Sequence, residues 1–220
     1  LPAALDSALA QTWPHREIVV VDDGSTDDTP AILESYRRTH GIRVVTQANQ
    51  GQSAACNRAL AEARGDYLKF FDADDIMAAG MLASQVEALA SRPGCVAYGT
   101  WGRFQTSIEE ARFEPHPGWH DGPPLDWILE TWADTRPMYQ CALFLLPREL
   151  VRRAGGWDSR LSLINDFEFF TRVILQSEGI VFTPSARLYY RSGLPQSLSR
   201  RKNRSALASG LLSNQLAVGH

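Results

Sequence analysis

Ile18-Val19-Val20-Val21-Asp22-Asp23-Gly24-Ser25-Thr26 sets the fold. A wholly apolar, β-branched run is what a strand buried on both faces of a parallel sheet requires. Two aspartates close the strand. Ser25 or Thr26 can cap a following helix, with Asp27 and Asp28 in its first turn. Ile32, Leu33 and Tyr36 line one face of that helix, and Gly41 ends it.

Working outward, the same alternation continues. Val44 and Val45 mark a second strand, and an Ala-rich helix over 52–64 is closed by Gly65. Residues 67–71 read as a strand that runs into Asp72-Ala73-Asp74-Asp75. A helix over 79–90, a strand over 95–101, a Pro- and Gly-rich loop over 114–124 and a short helix over 126–132 follow. Residues 141–146 form a buried strand, 167–176 a helix, and 180–183 and 187–190 extended segments. Upstream, Leu5, Ala8 and Leu9 are at helical spacing. Strand–helix alternation predicts an α/β, Rossmann-like fold with a mostly parallel sheet and helices on both faces. The expectation is one domain over 1–220, with a nucleotide half over about 1–100 and an acceptor half over about 101–220.

Composition narrows the function. The chain has 220 residues, 44% hydrophobic and 21% charged, enough for a large core without staples. A formal net charge of −3 lacks the basic field of a nucleic-acid binder, so no nucleic-acid partner is expected. The one basic cluster is Arg200, Arg201, Lys202 and Arg204. A solvated helix face or tail is its plainer reading, and contact with anionic lipid or substrate phosphates the sharper one. Three cysteines without a C-x-x-C pair argue against a disulfide framework or structural zinc and fit a reducing compartment. No signal peptide is seen, and the longest apolar run, 141–146, is far too short to span a bilayer. A cytoplasmic protein is expected, with peripheral contact at the inner face of a membrane as the extension. The first residue is leucine and reads at once as helix, so the natural protein is expected to continue upstream.

Chemistry should lie beyond the carboxyl ends of the strands, where open sheets bind ligands. Asp22 and Asp23 end one strand, and Asp72, Asp74 and Asp75 follow another. Carboxylates gathered at one sheet edge repel unless a cation joins them. Magnesium sites often use one or two carboxylates plus substrate phosphates. Asp72 and Asp74 therefore suggest Mn²⁺ or Mg²⁺ holding a diphosphate. The plainer reading, helix caps and turns, suits Asp22 or Asp75 alone better than the whole set. Asp166, Phe169, Phe170 and Val173 are spaced i, i+3, i+4, i+7, which puts a carboxylate on the inward face of a helix. Such a group needs a partner or a job. The helix N-terminus lowers its basicity and burial raises it. Glu168, two residues on, is expected to point away.

Val20 to Asp27 and Phe70-Phe71-Asp72-Ala73-Asp74-Asp75 resemble the two hallmark segments of glycosyltransferase family 2. Asn49-Gln50-Gly51, Asn57-Arg58-Ala59 before Gly65-Asp66-Tyr67, Gly155-Gly156-Trp157-Asp158 and Asn165-Asp166-Phe167-Glu168 are similar to its other motifs. The resemblance covers nearly the whole chain. It implies a GT-A fold and inverting transfer from a nucleotide diphosphate sugar, uridine being the expected base, to a hydroxyl of a glycan, lipid or protein. It implies that Asp23 contacts the nucleobase, Asp72 the ribose and metal, Asp74 the metal directly, and that Asp166 is the general base. Asp22 and Asn57, in the same motifs, complete the expected donor-binding set.

Three departures stand out. Asn165 occupies a position that is often acidic. Ser192-Gly193 follow Tyr189-Tyr190-Arg191 where a histidine is common. The family's first strand, which helps seat the base, is absent, so the edge of the 18–21 strand should be open.

Weaker candidates are His116 and His120, four apart but flanked by Pro115, Pro117 and Gly118, which disfavour a helical metal pair. Trp101, Trp119, Trp127 and Trp132 could stack on sugar rings or pack the core. A sugar nucleotidyltransferase would want a Gly-rich phosphate loop with Lys or Arg, and none is visible. A non-catalytic nucleotide- or sugar-binding module is the other rival. Pyrophosphate release would mark the first, and binding without turnover the second.

Overall fold

The computed structural model describes residues 1–133, 137–194 and 203–220. Helix α1 (Pro2–Leu9) leads into β1 (Val19–Asp22), α2 (Thr29–His40), β2 (Arg43–Thr46) and α3 (Gln52–Glu62). Then come β3 (Tyr67–Leu68), β4 (Ile76–Met77), α4 (Met81–Ala90), β5 (Val96–Phe104) and α5 (Pro124–Trp132). A 3₁₀ turn at Cys141–Leu143 precedes β6 (Phe144–Pro147), α6 (Arg148–Ala154), α7 (Asn165–Leu175), β7 (Ile180–Arg191) and α8 (Arg204–Gly219). No helix among the described residues is long and apolar enough to cross a membrane.

The α/β expectation holds, but the sheet is mixed, which corrects the mostly parallel arrangement. β1 and β2 form a parallel pair. The other five strands form a separate sheet in the order β3-β6-β5-β7-β4. In it only β5 and β7 run parallel; β3–β6, β6–β5 and β7–β4 are antiparallel. The reason is pairing across long sequence distance. Val96 sits beside Ile180 and Ala97 beside Leu145, partners that strand–helix alternation cannot reveal.

Several boundaries move for local reasons. α3 stops at Glu62, two residues early, because the Glu17 carboxylate accepts the Arg64 and Gly65 N–H groups (Gly65 at 2.9 Å). The 67–71 strand is only two residues long. Beyond it the Lys69 ammonium replaces the ladder by donating to the carbonyls of Ala142 (2.6 Å) and Phe144 (3.0 Å). The first half of the 141–146 run is a 3₁₀ turn rather than strand, and the two extended segments after 180 are one twelve-residue strand.

The core lies between the five-stranded sheet and α7. Phe144 stacks on Phe170 and Trp157 on Phe169, both with centroids 4.2 Å apart. Such offset aromatic pairs add about 1 kcal/mol each beyond their buried area. Trp127 and Tyr98 are fully buried beside them. Among the described residues no backbone ladder joins the two sheets. Val19–Val21 and the 69–73 segment face one another across a cleft of about 410 Å³. α1 and the loop after it are tied to the β4 region: Gln11 donates to Ala78 O (2.8 Å), Ser7 accepts from Met77 N (3.2 Å) and Thr12 N donates to Ala79 O (2.9 Å).

Candidate active site

One cavity of about 860 Å³ opens between the 72–74 turn, the 137–141 segment, the start of α7 and the end of β7. Asp72, Asp74 and Asp166 all line it, so the structure brings the expected metal and base residues together. Gln52, Gln140, Trp157, Tyr190 and Arg191 complete the working wall.

Asp72 accepts from Gln52 Nε2 (3.2 Å) and Gln140 Nε2 (3.3 Å). Burial, and then the charge of Asp74, hold its carboxyl above the ordinary range. Asp74 is exposed to the cavity, and its backbone carbonyl accepts from Arg191 Nε (2.9 Å). Asp75 is fully buried and does not line the cavity, accepting from Gln140 Nε2 (2.5 Å) and Arg191 N (2.8 Å). Burial and then Asp72 push it up to about 8. Gln140 is thus an amide hinge between two carboxylates, while its own oxygen accepts from Ala142 N (2.7 Å).

Among the described residues there is no group of three or more His, Cys, Asp or Glu able to hold a metal. Two carboxylates in one cavity, with Asp74 raising the cost of charge on Asp72, nevertheless form the donor set that Mg²⁺ or Mn²⁺ uses when phosphate oxygens supply the remaining ligands. The residues present fit such an ion.

Asp166 stands in the first turn of α7, with Oδ1 accepting from Phe167 N (2.8 Å). Burial outweighs that bond, Asp72 adds repulsion, and the carboxyl is pushed up to about 7. The opposed effects of helix end and burial therefore resolve in favour of basicity. Asn165 turns inward, donating to Ser53 Oγ (3.0 Å).

The residues expected to bind the donor separate. Asp23 Oδ1 accepts from Gln47 Nε2 (2.8 Å) and Gln50 N (2.9 Å), and Oδ2 from Gly51 N (2.8 Å), so it organises the loop before α3. Asp22 is buried and accepts from Ser25 N (2.9 Å), a turn-capping role. Gly24 between them has φ +77°, and a Cβ there would lie 2.9 Å from Asn49 N, so a side chain is strained twice over. Asn57 lies outside the cavity wall: its amide bonds the backbone of Trp157 in both directions.

Glu168, expected to point away, does not line the cavity; it is 3% exposed, held by Arg172 (2.7 Å) and His220 (3.0 Å). The cause is α8, which covers the second face of α7. His116 and His120 do not converge on a metal: His116 Nδ1 accepts from Gly118 N (3.1 Å), and His120 pairs with Glu130 (2.8 Å). Trp101, Trp119, Trp127 and Trp132 pack away from the cavity, and Trp157 is the tryptophan in its wall. Arg200, Arg201 and Lys202 lie outside the described residues; Arg204 is exposed at the start of α8.

Over residues 1–155 the chain matches the family described as glycosyl transferase family 2. It is similar to the uncharacterized glycosyltransferase EpsJ of Bacillus subtilis, 29% identical over 206 residues, covering 89% of this chain and 58% of that protein. It also resembles a cholesterol galactosyltransferase of Borreliella burgdorferi, 37% identical over 83 residues, covering 37% of this chain and 23% of that one. Among solved structures, S. aureus TarS 1-349 in complex with UDP-GlcNAc aligns with a TM-score of 0.78 at 21% identity, covering 97% of this chain and 61% of that one. That likeness is one of fold. The chain spans 58% and 23% of the two relatives' lengths, less than two thirds of either.

Proposed function

The chain belongs to glycosyl transferase family 2, and from that premise we propose that it transfers a sugar from a uridine diphosphate donor to an acceptor hydroxyl with inversion. One observation carries the reading: a carboxyl pushed up to about 7, Asp166, opens into the same cavity as the Asp72–Asp74 pair. A general base is most effective when its pKa lies near the working pH. Asp166 accepts the proton of the acceptor hydroxyl as that oxygen attacks the anomeric carbon. The bond from that carbon to the diphosphate breaks on the opposite face, and the nucleoside diphosphate departs.

Asp74, assisted by Asp72, would hold Mn²⁺ or Mg²⁺, and a divalent ion there would supply charge stabilisation to the leaving diphosphate. Gln140 and Gln52 keep the Asp72 carboxylate aimed into the cavity. Asp23 seats the nucleobase through the loop it organises. The UDP-GlcNAc complex of TarS supports a uridine donor. Trp157, Tyr139 and Tyr190 give the cavity an aromatic wall suited to a sugar ring or an apolar acceptor. Three free cysteines support a reducing, cytoplasmic setting.

The test is a screen of nucleotide sugars with the intact protein, reading free nucleotide with and without Mn²⁺. UDP release that depends on Mn²⁺ and on an added acceptor supports the reading. Pyrophosphate release, or tight UDP binding with no turnover of any donor, overturns it.

A further inference from the structure

Ile164 has φ 58° and ψ 27°, the left-handed region, and is the only non-glycine residue with positive φ among those described. For a β-branched residue this is an outlier that persists only where its surroundings impose it. It sits immediately before Asn165 and Asp166, where α7 begins.

Two helices remote in sequence impose it. From α8, Ser213 Oγ donates to Ile164 O (2.6 Å) and Ser209 Oγ donates to Leu163 O (3.0 Å). Ser209 Oγ also accepts from Ser162 N (2.8 Å) and Leu163 N (3.0 Å). Gly210 leaves room for the Ile164 side chain, since a Cβ there would lie 3.3 Å from Ile164 Cδ1. From α3, Ser53 Oγ donates to Leu161 O (2.8 Å) and accepts from Asn165 Nδ2 (3.0 Å). Ser53, Ser209 and Ser213 are all buried. Every one of these hydroxyls binds the four-residue approach to Asp166 or its neighbour, and none reaches the cavity itself.

We propose that Ser209 and Ser213 of α8, opposed by Ser53 of α3, are positioning residues that clamp Ile164 in its left-handed conformation and thereby aim Asp166 into the cavity. The inference rests on the reading of Asp166 as general base. The clamp acts through backbone geometry. Loosening it leaves the donor site unaltered and misplaces the base, and a displacement of about 1 Å at a reacting group can cost on the order of a hundredfold in rate.

The experiment uses the intact protein and four variants: Ser213→Ala, Ile164→Gly, the double variant, and Asp166→Asn. Readouts are UDP affinity, single-turnover nucleotide release from whichever donor the wild type turns over, and amide hydrogen exchange over 162–167. Ser213→Ala is expected to lower transfer by at least about tenfold and to speed exchange at Ser162 and Leu163, with UDP affinity within about twofold. Glycine adopts positive φ without cost, so Ile164→Gly added to Ser213→Ala is expected to recover most of the lost rate. A purely structural serine would show no such recovery. Normal transfer in Ser213→Ala, or a loss that Ile164→Gly does not restore, overturns the clamp. If Asp166→Asn alone keeps a normal rate, the base assignment falls instead and the clamp loses its purpose. If Ser213→Ala melts early, exchange at Ser162 and Leu163 in the double variant decides, because restored protection requires the backbone relief.

Discussion

Asn57 and Trp157 exchange two hydrogen bonds, Asn57 Nδ2 to Trp157 O and Trp157 N to Asn57 Oδ1, each 2.8 Å. The amide behaves as a strand-like partner for one residue of a loop that has no ladder of its own. Gly156 is required next to it, because a Cβ there would lie 2.5 Å from Asn57 Oδ1. The pair ties α3 to the segment that leads to Asp166.

Asn57→Ala is therefore expected to destabilise the fold by about 2 kcal/mol, since it leaves two backbone groups unpaired. UDP affinity should change by less than about threefold, no more than one ordinary hydrogen bond is worth. Urea denaturation with UDP calorimetry tests this. A large loss of UDP binding at unchanged stability would return Asn57 to the donor site.

Asp74→Ala is expected to abolish the dependence of UDP binding on Mn²⁺, while Asp72→Asn weakens it less, because Gln140 and Gln52 still hold that side chain. Equal UDP affinity in Mn²⁺ and in EDTA for the wild type would remove the metal from donor binding.

Asp166→Asn should lower transfer by about a hundredfold or more, the usual range for a positioned base. Asn keeps the shape and carries no charge, so the variant should be no less stable than the wild type. Glu168→Gln is a different kind of variant: it breaks a buried ion pair with Arg172, which also holds the carbonyls of Gly155 (3.1 Å) and Gly156 (2.8 Å). Loss of one partner of a buried pair costs about 3 kcal/mol. Single-turnover rates and denaturation midpoints separate the two effects, and an unchanged midpoint for Glu168→Gln contradicts the burial.

Transfer should rise with pH, reaching half its plateau near the raised value of Asp166, about 7. Metal held by Asp72 and Asp74 would relieve part of the repulsion and move that limb downward. Stability runs the opposite way. Asp166 and Asp75 have folded values near 7 and 8 against an ordinary 3.8, so the native state binds more protons through that interval. Their stabilisation is complete below about pH 4 and is lost as pH rises through 7 and 8. Urea midpoints between pH 5 and 8 measure this, and Asp75→Asn should flatten the trend. A midpoint insensitive to Asp75→Asn refutes it.

Much of the site was legible because its residues sit at element ends with short-range signals. The apolar run before Asp22, the carboxylates after residue 71 and the helical spacing around Asp166 each announce themselves within a few residues. What escaped was contact across long sequence distance. Gln140 carries no acid–base signature, and only its position before an apolar run distinguishes it. The burial of Glu168 is hidden because only one face of α7 is plainly apolar. The second cover, α8, is a mixture of Ala, Ser, Gly and Leu with no clear apolar stripe. The antiparallel members of the sheet are hidden for the same reason, as β5 meets β6 and β7 across intervening helices.

The cleft between the two sheets has a consequence for cooperativity. Among the described residues β1 and β2 share a ladder only with each other, and their attachment to the rest runs through helices and a few side chains. Such a unit can open without breaking a single bond of the five-stranded sheet, so its free energy of opening need not equal that of the whole molecule. Asp23, which organises the loop before α3, lies just beyond the end of β1. Binding of a nucleotide across both parts would fuse two separately melting units into one.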